Sequence, residues 1–245
     1  MAKGISVLYG VVSYVIFFAS FCYAIGFVGD MVVPKTLDSG VAGSLAVALL
    51  VDAVLLGVFA VQHSVMARPW FKRAWTKVVP KHAERSTYVL LASLCLILLY
   101  WQWRPMPGVV WDVQNAAGRA ALVGLFWVGW LLVLVGTFLI DHWELFGLKQ
   151  VFAYAGGKEH SGAEFKEPML YKWCRHPIML GFIVAFWAAP QMTVGHLVFA
   201  IATTAYIVLA IQFEEHDLIA AHGERYENYR GRTSMLLPMM RRSKG

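Results

Sequence analysis

Long uncharged stretches recur along this chain and set its element pattern. Lys3 and Asp30 are separated by 26 residues without Asp, Glu, Lys or Arg, Arg85 and Arg104 by 18, and Arg119 and Asp141 by 21. The stretch between Asp38 and Arg68 is interrupted by Asp52 alone. Each suits a hydrocarbon core about 30 Å thick, which takes roughly 20 helical residues to cross. The last stretch, 38 residues between Arg175 and Glu214, is too long for one crossing. As a single helix it would measure roughly 57 Å at 1.5 Å per residue. Near its middle lies Ala188-Ala189-Pro190-Gln191-Met192-Thr193-Val194-Gly195-His196, a turn-forming patch. The pattern predicts two helices, 177–189 and 194–213, folded back as a hairpin; one long helix kinked at Pro190 is the rival. The expected fold class is all-α, a polytopic membrane helix bundle with about six membrane helices.

Composition argues against a soluble reading. Hydrophobic residues make up 59% of the chain and charged residues 15%, with a mean hydropathy of +0.58; soluble domains are about one quarter charged. The formal charge of +6 would suggest nucleic acid, but the placement of the cations gives a different account. Of 21 Lys and Arg, only Lys35, Arg104 and Arg119 fall at one end of the expected spans. The other 18 lie at Lys3, in 62–86, in 141–175 and in the tail from 214. Cytoplasmic segments carry the excess of Lys and Arg. Both termini, the two basic loops and the tail are therefore expected on the cytoplasmic side, and the final stretch must return to its starting side, as a hairpin does. The partner implied is the lipid bilayer, with no nucleic acid. Cys22, Cys95 and Cys174 fit neither a disulfide framework nor a zinc spacing. The apolar run after Lys3 is too long for a signal peptide and lacks a small-residue cleavage site.

Polar residues inside or beside spans are costly and tend to mark function. Four such patches lie at the expected cytoplasmic ends. They are Gln62-His63-Ser64-Val65-Met66-Ala67-Arg68, Asp141-His142-Trp143-Glu144 with the residues to Gln150, Tyr171-Lys172-Trp173-Cys174-Arg175-His176-Pro177, and Glu214-Glu215-His216-Asp217-Leu218 followed by His222, Tyr226 and Tyr229. Each also has a plain structural use. Pro177 suits a first helical position, Asp141 a helix cap, and Asp52 and His63 hydrogen bonds between helices. The eight histidines are scattered singly, and the nearest candidate pair, His216 and His222, is off one helix face, so no metal site is expected. The arrangement points to a site at the membrane boundary for one water-soluble and one small or lipid-like ligand.

Two of these patches carry a family pattern. Arg175-His176-Pro177-x-x-x-Gly181, then about thirty apolar residues, then Glu214-Glu215-x-x-Leu218-x-x-x-His222-Gly223-x-x-Tyr226-x-x-Tyr229, ending near Pro238, resembles the isoprenylcysteine carboxyl methyltransferase superfamily. This chain has Met179 where that pattern has Tyr, and His222 where it has Phe. Upstream, His63-Ser64-x-Met66-Ala67-Arg68, Glu84-Arg85-Ser86-x-Tyr88, Trp101-Gln102-Trp103-Arg104-Pro105 and Asp141-His142-x-x-Leu145-Phe146-Gly147-Leu148-x-Gln150 look like the bacterial methanethiol S-methyltransferases and their NnrU-type relatives.

The resemblance implies a single integral-membrane methyltransferase domain over 1–245 in the bacterial inner membrane. Its cofactor would be S-adenosylmethionine, its substrate a small volatile thiol, and its product dimethyl sulfide. The 141–176 loop and the 214–245 tail would contribute to the cofactor site. Cofactor-binding positions implied are Tyr171, Arg175, His176, Pro177, Gly181, Glu214, Glu215, Tyr226 and Tyr229. The donor's carboxylate would meet Arg175 and the start of the hairpin, since free helix N–H groups attract anions. Its ribose hydroxyls or ammonium would meet the two glutamates, while the tyrosines would flank the adenine or pack on the bundle. Only a thiolate attacks well, so a base or a thiolate-stabilising donor is expected. His142 with Asp141 beside it is the first candidate, because imidazole titrates near neutrality, and His63 is the reserve. The alternatives are methylation of an isoprenylcysteine carboxylate, a membrane reductase using NADPH, and a non-catalytic NnrU-type membrane factor.

Overall fold

The computed structural model describes residues 2–160, 162 and 165–237. The part of the expected 214–245 tail beyond 237, with Pro238, lies outside the described residues. Among the described residues five helices are long and apolar enough to cross a membrane, and Pro177–Trp187 is a shorter apolar helix, so the chain is an all-α multi-pass membrane protein. Its contacts divide it into two compact units, Met1–Pro107 with Asp141–Ala163 and Gly108–Ile140 with Glu164–Gly245.

The first unit contains α1 (Ala2–Gly29), α2 (Leu45–Ala67), α3 (Pro69–Trp75), α4 (Lys81–Gln102), α6 (His142–Leu145) and α7 (Leu148–Ala155). Helix α4 packs against both α1 and α2. Its buried positions include Ser86, Val89, Ser93 and Tyr100, spaced as one helical face requires. In lipid there is no hydrophobic drive between helices, so interhelical polar contacts matter more. Tyr9 and Thr87 hydroxyls lie 2.9 Å apart, Ser6 Oγ is 3.0 Å from His82 Nε2, and Asp52 Oδ1 accepts from the Arg104 amide at 2.9 Å. The predicted 141–176 loop is partly helical. Its α7 rests on α1 and α4, and its start needs Gly147: φ is +87°, and an added Cβ would lie 2.7 Å from Ser86 Oγ. Two sequence patches, Glu84-Arg85-Ser86 and Leu145-Phe146-Gly147, therefore meet at one tight backbone approach.

The second unit contains β1 (Val109–Asp112), α5 (Ala116–Ile140), a 3-10 turn at Met169–Lys172, α8 (Pro177–Trp187), β2 (Gln191–Thr193), α9 (Val194–His222) and α10 (Glu224–Arg232). Helices α5 and α8 cross with almost no side chain between them. A Cβ on Gly181 would sit 2.7 Å from Gly129 O, and one on Gly129 would sit 2.6 Å from Ala185 N. Small residues permit such approaches in membrane helices. Trp130 fills the flank, edge-on to Phe182 and Phe186.

The 38-residue stretch is a hairpin of two separate helices, as expected. The first ends at Trp187 rather than 189, because Ala189 precedes Pro190 and is pushed out of helical geometry. The chain then forms β2, which pairs antiparallel with β1, an element the hydrophobic pattern did not announce. Thr193 starts α9 by accepting the His196 amide at 3.0 Å, and His196 Nε2 donates back to Phe186 O at 2.8 Å. Helix α9 continues nine residues past the expected 213. Glu214 and Glu215 end the apolar run but not the helix.

Candidate functional site

The hairpin's polar end is built around one carboxylate. Residues 174–176 run beside the start of the tail. Cys174 bridges in parallel to Ser234, and the amides of Arg175 and His176 donate to Ser234 O at 2.9 Å and Met235 O at 3.2 Å. Pro177 then starts α8, where its missing N–H leaves nothing unsatisfied. This backbone aims both preceding side chains at Glu215 of α9. Its Oε1 accepts from Arg175 Nε at 2.7 Å and from His176 Nε2 at 3.0 Å, and its Oε2 lies 3.2 Å from Arg230 Nε. Arg175 Nη1 also donates to Arg230 O at 3.1 Å and to Thr233 O. The Arg175, His176 and Glu215 side chains are only 4–6% exposed. A buried charge is tolerable when paired and hydrogen-bonded, and here Arg175 and Glu215 pair while His176 adds a hydrogen bond.

Glu214, one residue earlier, is different. Its side chain is 46% exposed, with Oε2 3.6 Å from His176 Nδ1. The two adjacent glutamates thus have unequal freedom. Glu215 is enclosed by Arg175, His176 and Arg230, whereas Glu214 opens outward. Arg175, expected to meet a ligand carboxylate, is engaged by Glu215 and by tail carbonyls.

Tyr226 and Tyr229 are buried, with ring centroids 5.8 Å apart. Both pack edge-on to Phe165, at 5.6 and 5.4 Å. Tyr229 Oη donates to Tyr171 O at 2.6 Å, and Tyr171 Oη donates to Gly136 O at 3.3 Å. Of the two uses the sequence left open for these tyrosines, packing is the one this geometry displays. Burial raises all three phenol pKa values above the ordinary tyrosine range, with nearby carboxylates adding to the effect, so the rings are neutral donors. Burial likewise raises the Cys174 thiol, which donates to Leu236 O at 3.0 Å. Gly181 serves the α5–α8 crossing. Sequence reasoning passed over Arg230 and Phe165. Arg230 was counted only as a topology charge, and Phe165 precedes the motif.

In the first unit, His142 is buried, and its Nε2 is 2.8 Å from Tyr14 Oη. Trp143 and Phe146 stand edge-on to it, with centroids at 5.1 and 4.8 Å. Burial lowers its pKa below the ordinary imidazole value. Asp141 Oδ1 accepts the Glu144 amide at 3.2 Å, capping α6, while Oδ2 pairs with Lys149. His63 is on α2, with its ring nitrogens 3.0 Å from Tyr88 Oη. Tyr14 was not singled out in the sequence. Its run also holds Tyr9 and Tyr23, so nothing in the sequence set this tyrosine apart.

The family model described as NnrU protein matches residues 50–236. Methanethiol S-methyltransferase of Mycobacterium tuberculosis is 59% identical, over 97% of this chain and 98% of that protein. Methanethiol S-methyltransferase 2 of Bradyrhizobium diazoefficiens is 55% identical, over 95% and 90%. Methanethiol S-methyltransferase of Crocosphaera subtropica is 50% identical, over 98% and 94%. No solved structure matches the chain.

Proposed function

This chain belongs to the NnrU protein family, and from that premise we propose that it is a membrane methyltransferase moving a methyl group from S-adenosylmethionine to methanethiol, with dimethyl sulfide as product. Relatives named for methanethiol methylation, matching over nearly their full length, support the reaction. One structural observation carries the donor assignment: a buried Arg175–Glu215–His176 network with half-exposed Glu214 at its edge.

The residues present suit that donor, which brings an amino-acid head group, ribose hydroxyls and an adenine ring. When bound, S-adenosylmethionine supplies an electrophilic methyl group on a positively charged sulfur. Glu214 accepts hydrogen bonds from the ammonium or the ribose. Glu215, fixed by its partners, holds His176 and Arg175 in place and with them residues 174–176 and the tail to 237. Tyr226 and Tyr229 hold Phe165, Tyr171 anchors Tyr229 through its carbonyl, and Phe165 with His222 at 5.3 Å is the aromatic surface offered to an adenine. Pro177 fixes where α8 begins, and Gly181 lets it lie against α5.

Methanethiol must lose its proton to become a good nucleophile. His142 is assigned that proton. Its ring is kept neutral near pH 7 by burial and is oriented by Tyr14. Asp141 supports it by capping the short helix on which it stands, and His63 is the reserve base. The cation distribution favours a cytoplasmic donor site, in a bacterial inner membrane.

The test is direct. Purified protein in detergent, given S-adenosylmethionine and methanethiol, should release dimethyl sulfide into the headspace. No product with tight NADPH binding would favour the reductase alternative, and binding of neither ligand would favour a non-catalytic membrane factor.

A further inference from the structure

We infer that Arg230 is the side chain that receives the carboxylate of the donor's amino-acid head group, with Glu214 receiving its ammonium. This rests on the donor reading above and names the residues that grip one end of the ligand. A zwitterionic head group needs one reachable cation and one reachable anion. Arg175 is poorly placed to be that cation: its side chain is 6% exposed, and its Nε and Nη1 already serve three acceptors. Arg230 is 50% exposed and touches the same carboxylate from the outer side, Nε to Glu215 Oε2 at 3.2 Å. The remaining arginines of α10 are turned elsewhere, Arg225 to Phe165 O and Arg232 to Glu167.

Releasing Arg230 takes the ion-pair partner from Glu215 Oε2 but leaves the carboxylate paired through its other oxygen. Glu215 keeps Arg175 and His176 on Oε1 when Arg230 swings away, so no bare charge is left inside. The freed guanidinium then presents its fork of N–H groups, which suits a carboxylate in a bidentate pair. At the other end of the same run of contacts, through His176, stands Glu214 with its side chain 46% exposed. One half-exposed acid and one half-exposed base, both tied to a single rigid hub, complement the two charges of an α-amino acid.

The experiment is calorimetric titration of the full chain in detergent with two thioether nucleosides. S-adenosylhomocysteine carries the amino-acid head group, and 5′-methylthioadenosine lacks it. Replacing Arg230→Ala should weaken S-adenosylhomocysteine roughly 10- to 100-fold, the value of a lost charge-assisted contact. Methylthioadenosine affinity should be unchanged, which also shows that the variant is folded. Arg230→Lys should recover part of the loss, since it restores charge without the fork. Unchanged S-adenosylhomocysteine affinity in Arg230→Ala would overturn the assignment and leave the donor reading intact. Equal loss of both nucleosides would overturn it too, by showing that Arg230 shapes the site instead. Failure of the unsubstituted protein to bind either nucleoside would remove the donor reading and this proposal with it.

Discussion

Arg175 and Glu215, 40 residues apart in sequence, form an ion pair of 2.7 Å, with 6% and 4% of their side chains exposed. Breaking a buried pair leaves an uncompensated charge, which typically costs about 3–5 kcal/mol. Glu215→Ala and Arg175→Ala should each lower thermal stability in detergent sharply. Glu214→Gln, at a half-exposed position, should change stability by less than about 0.5 kcal/mol while weakening donor binding roughly tenfold. Equal stability losses at the two glutamates would contradict the division of roles.

A second expectation concerns pH. Burial holds the His142 pKa below the ordinary value of about 6.5. Between the folded and unfolded values the unfolded chain binds more protons, so stability contributed here is intact above about pH 6.5 and declines as pH falls toward the folded value. His142→Gln should flatten that acid limb in melts recorded across pH. In turnover assays His142→Ala should lose most at mild pH and recover partly where the thiol ionises unaided. A loss independent of pH would mark His142 as a positioning residue.

Gly181 offers a third. Any Cβ there would press on Gly129 O at 2.7 Å and on Val133 N at 2.9 Å, and backbone atoms yield poorly. Gly181→Ala should destabilise the α5–α8 crossing by about 1–3 kcal/mol, read as a lower melting temperature. Full stability with selective loss of donor affinity would return this glycine to the ligand.

Cys174 reports on the tail. Its thiol is buried, its pKa is raised by burial, and it donates to Leu236 O, so it should react slowly with N-ethylmaleimide near neutral pH. Arg175→Ala, by releasing Thr233 O, should speed that labelling when followed by mass spectrometry. Identical rates in both proteins would show that the arginine does not fasten the tail.

Much of this was legible in the chain itself, for a physical reason. Spans declare themselves by the absence of charge, which is why α1, α2, α4, α5 and the hairpin were readable. Charge also misled at their ends. Glu214 and Glu215 stopped the apolar pattern but stay helical, because Glu215 finds its partners in the interior. The β1–β2 ribbon went unseen because two short extended segments, 79 residues apart at the Asp112↔Gln191 pairing, leave no periodic trace. The Arg-His-Pro and Glu-Glu halves were recognisable as one cluster, yet the unequal exposure of the two glutamates was not. Adjacent residues in sequence say nothing about which one a distant arginine will reach. Tyr14 and Arg230 needed the fold for the same reason.

The order of synthesis gives the Arg175 contacts a temporal side. Its acceptors at Glu215, Arg230 and Thr233 lie 40, 55 and 58 residues downstream. At ribosomal speeds of about 5–20 residues per second, that guanidinium waits roughly 3–12 s for its last partner. A nascent chain arrested before Glu215 therefore carries an unneutralised cation at the hairpin's mouth, one arrested before Thr233 lacks the carbonyl that fastens the tail, and maturation of this end awaits the final stretch of translation.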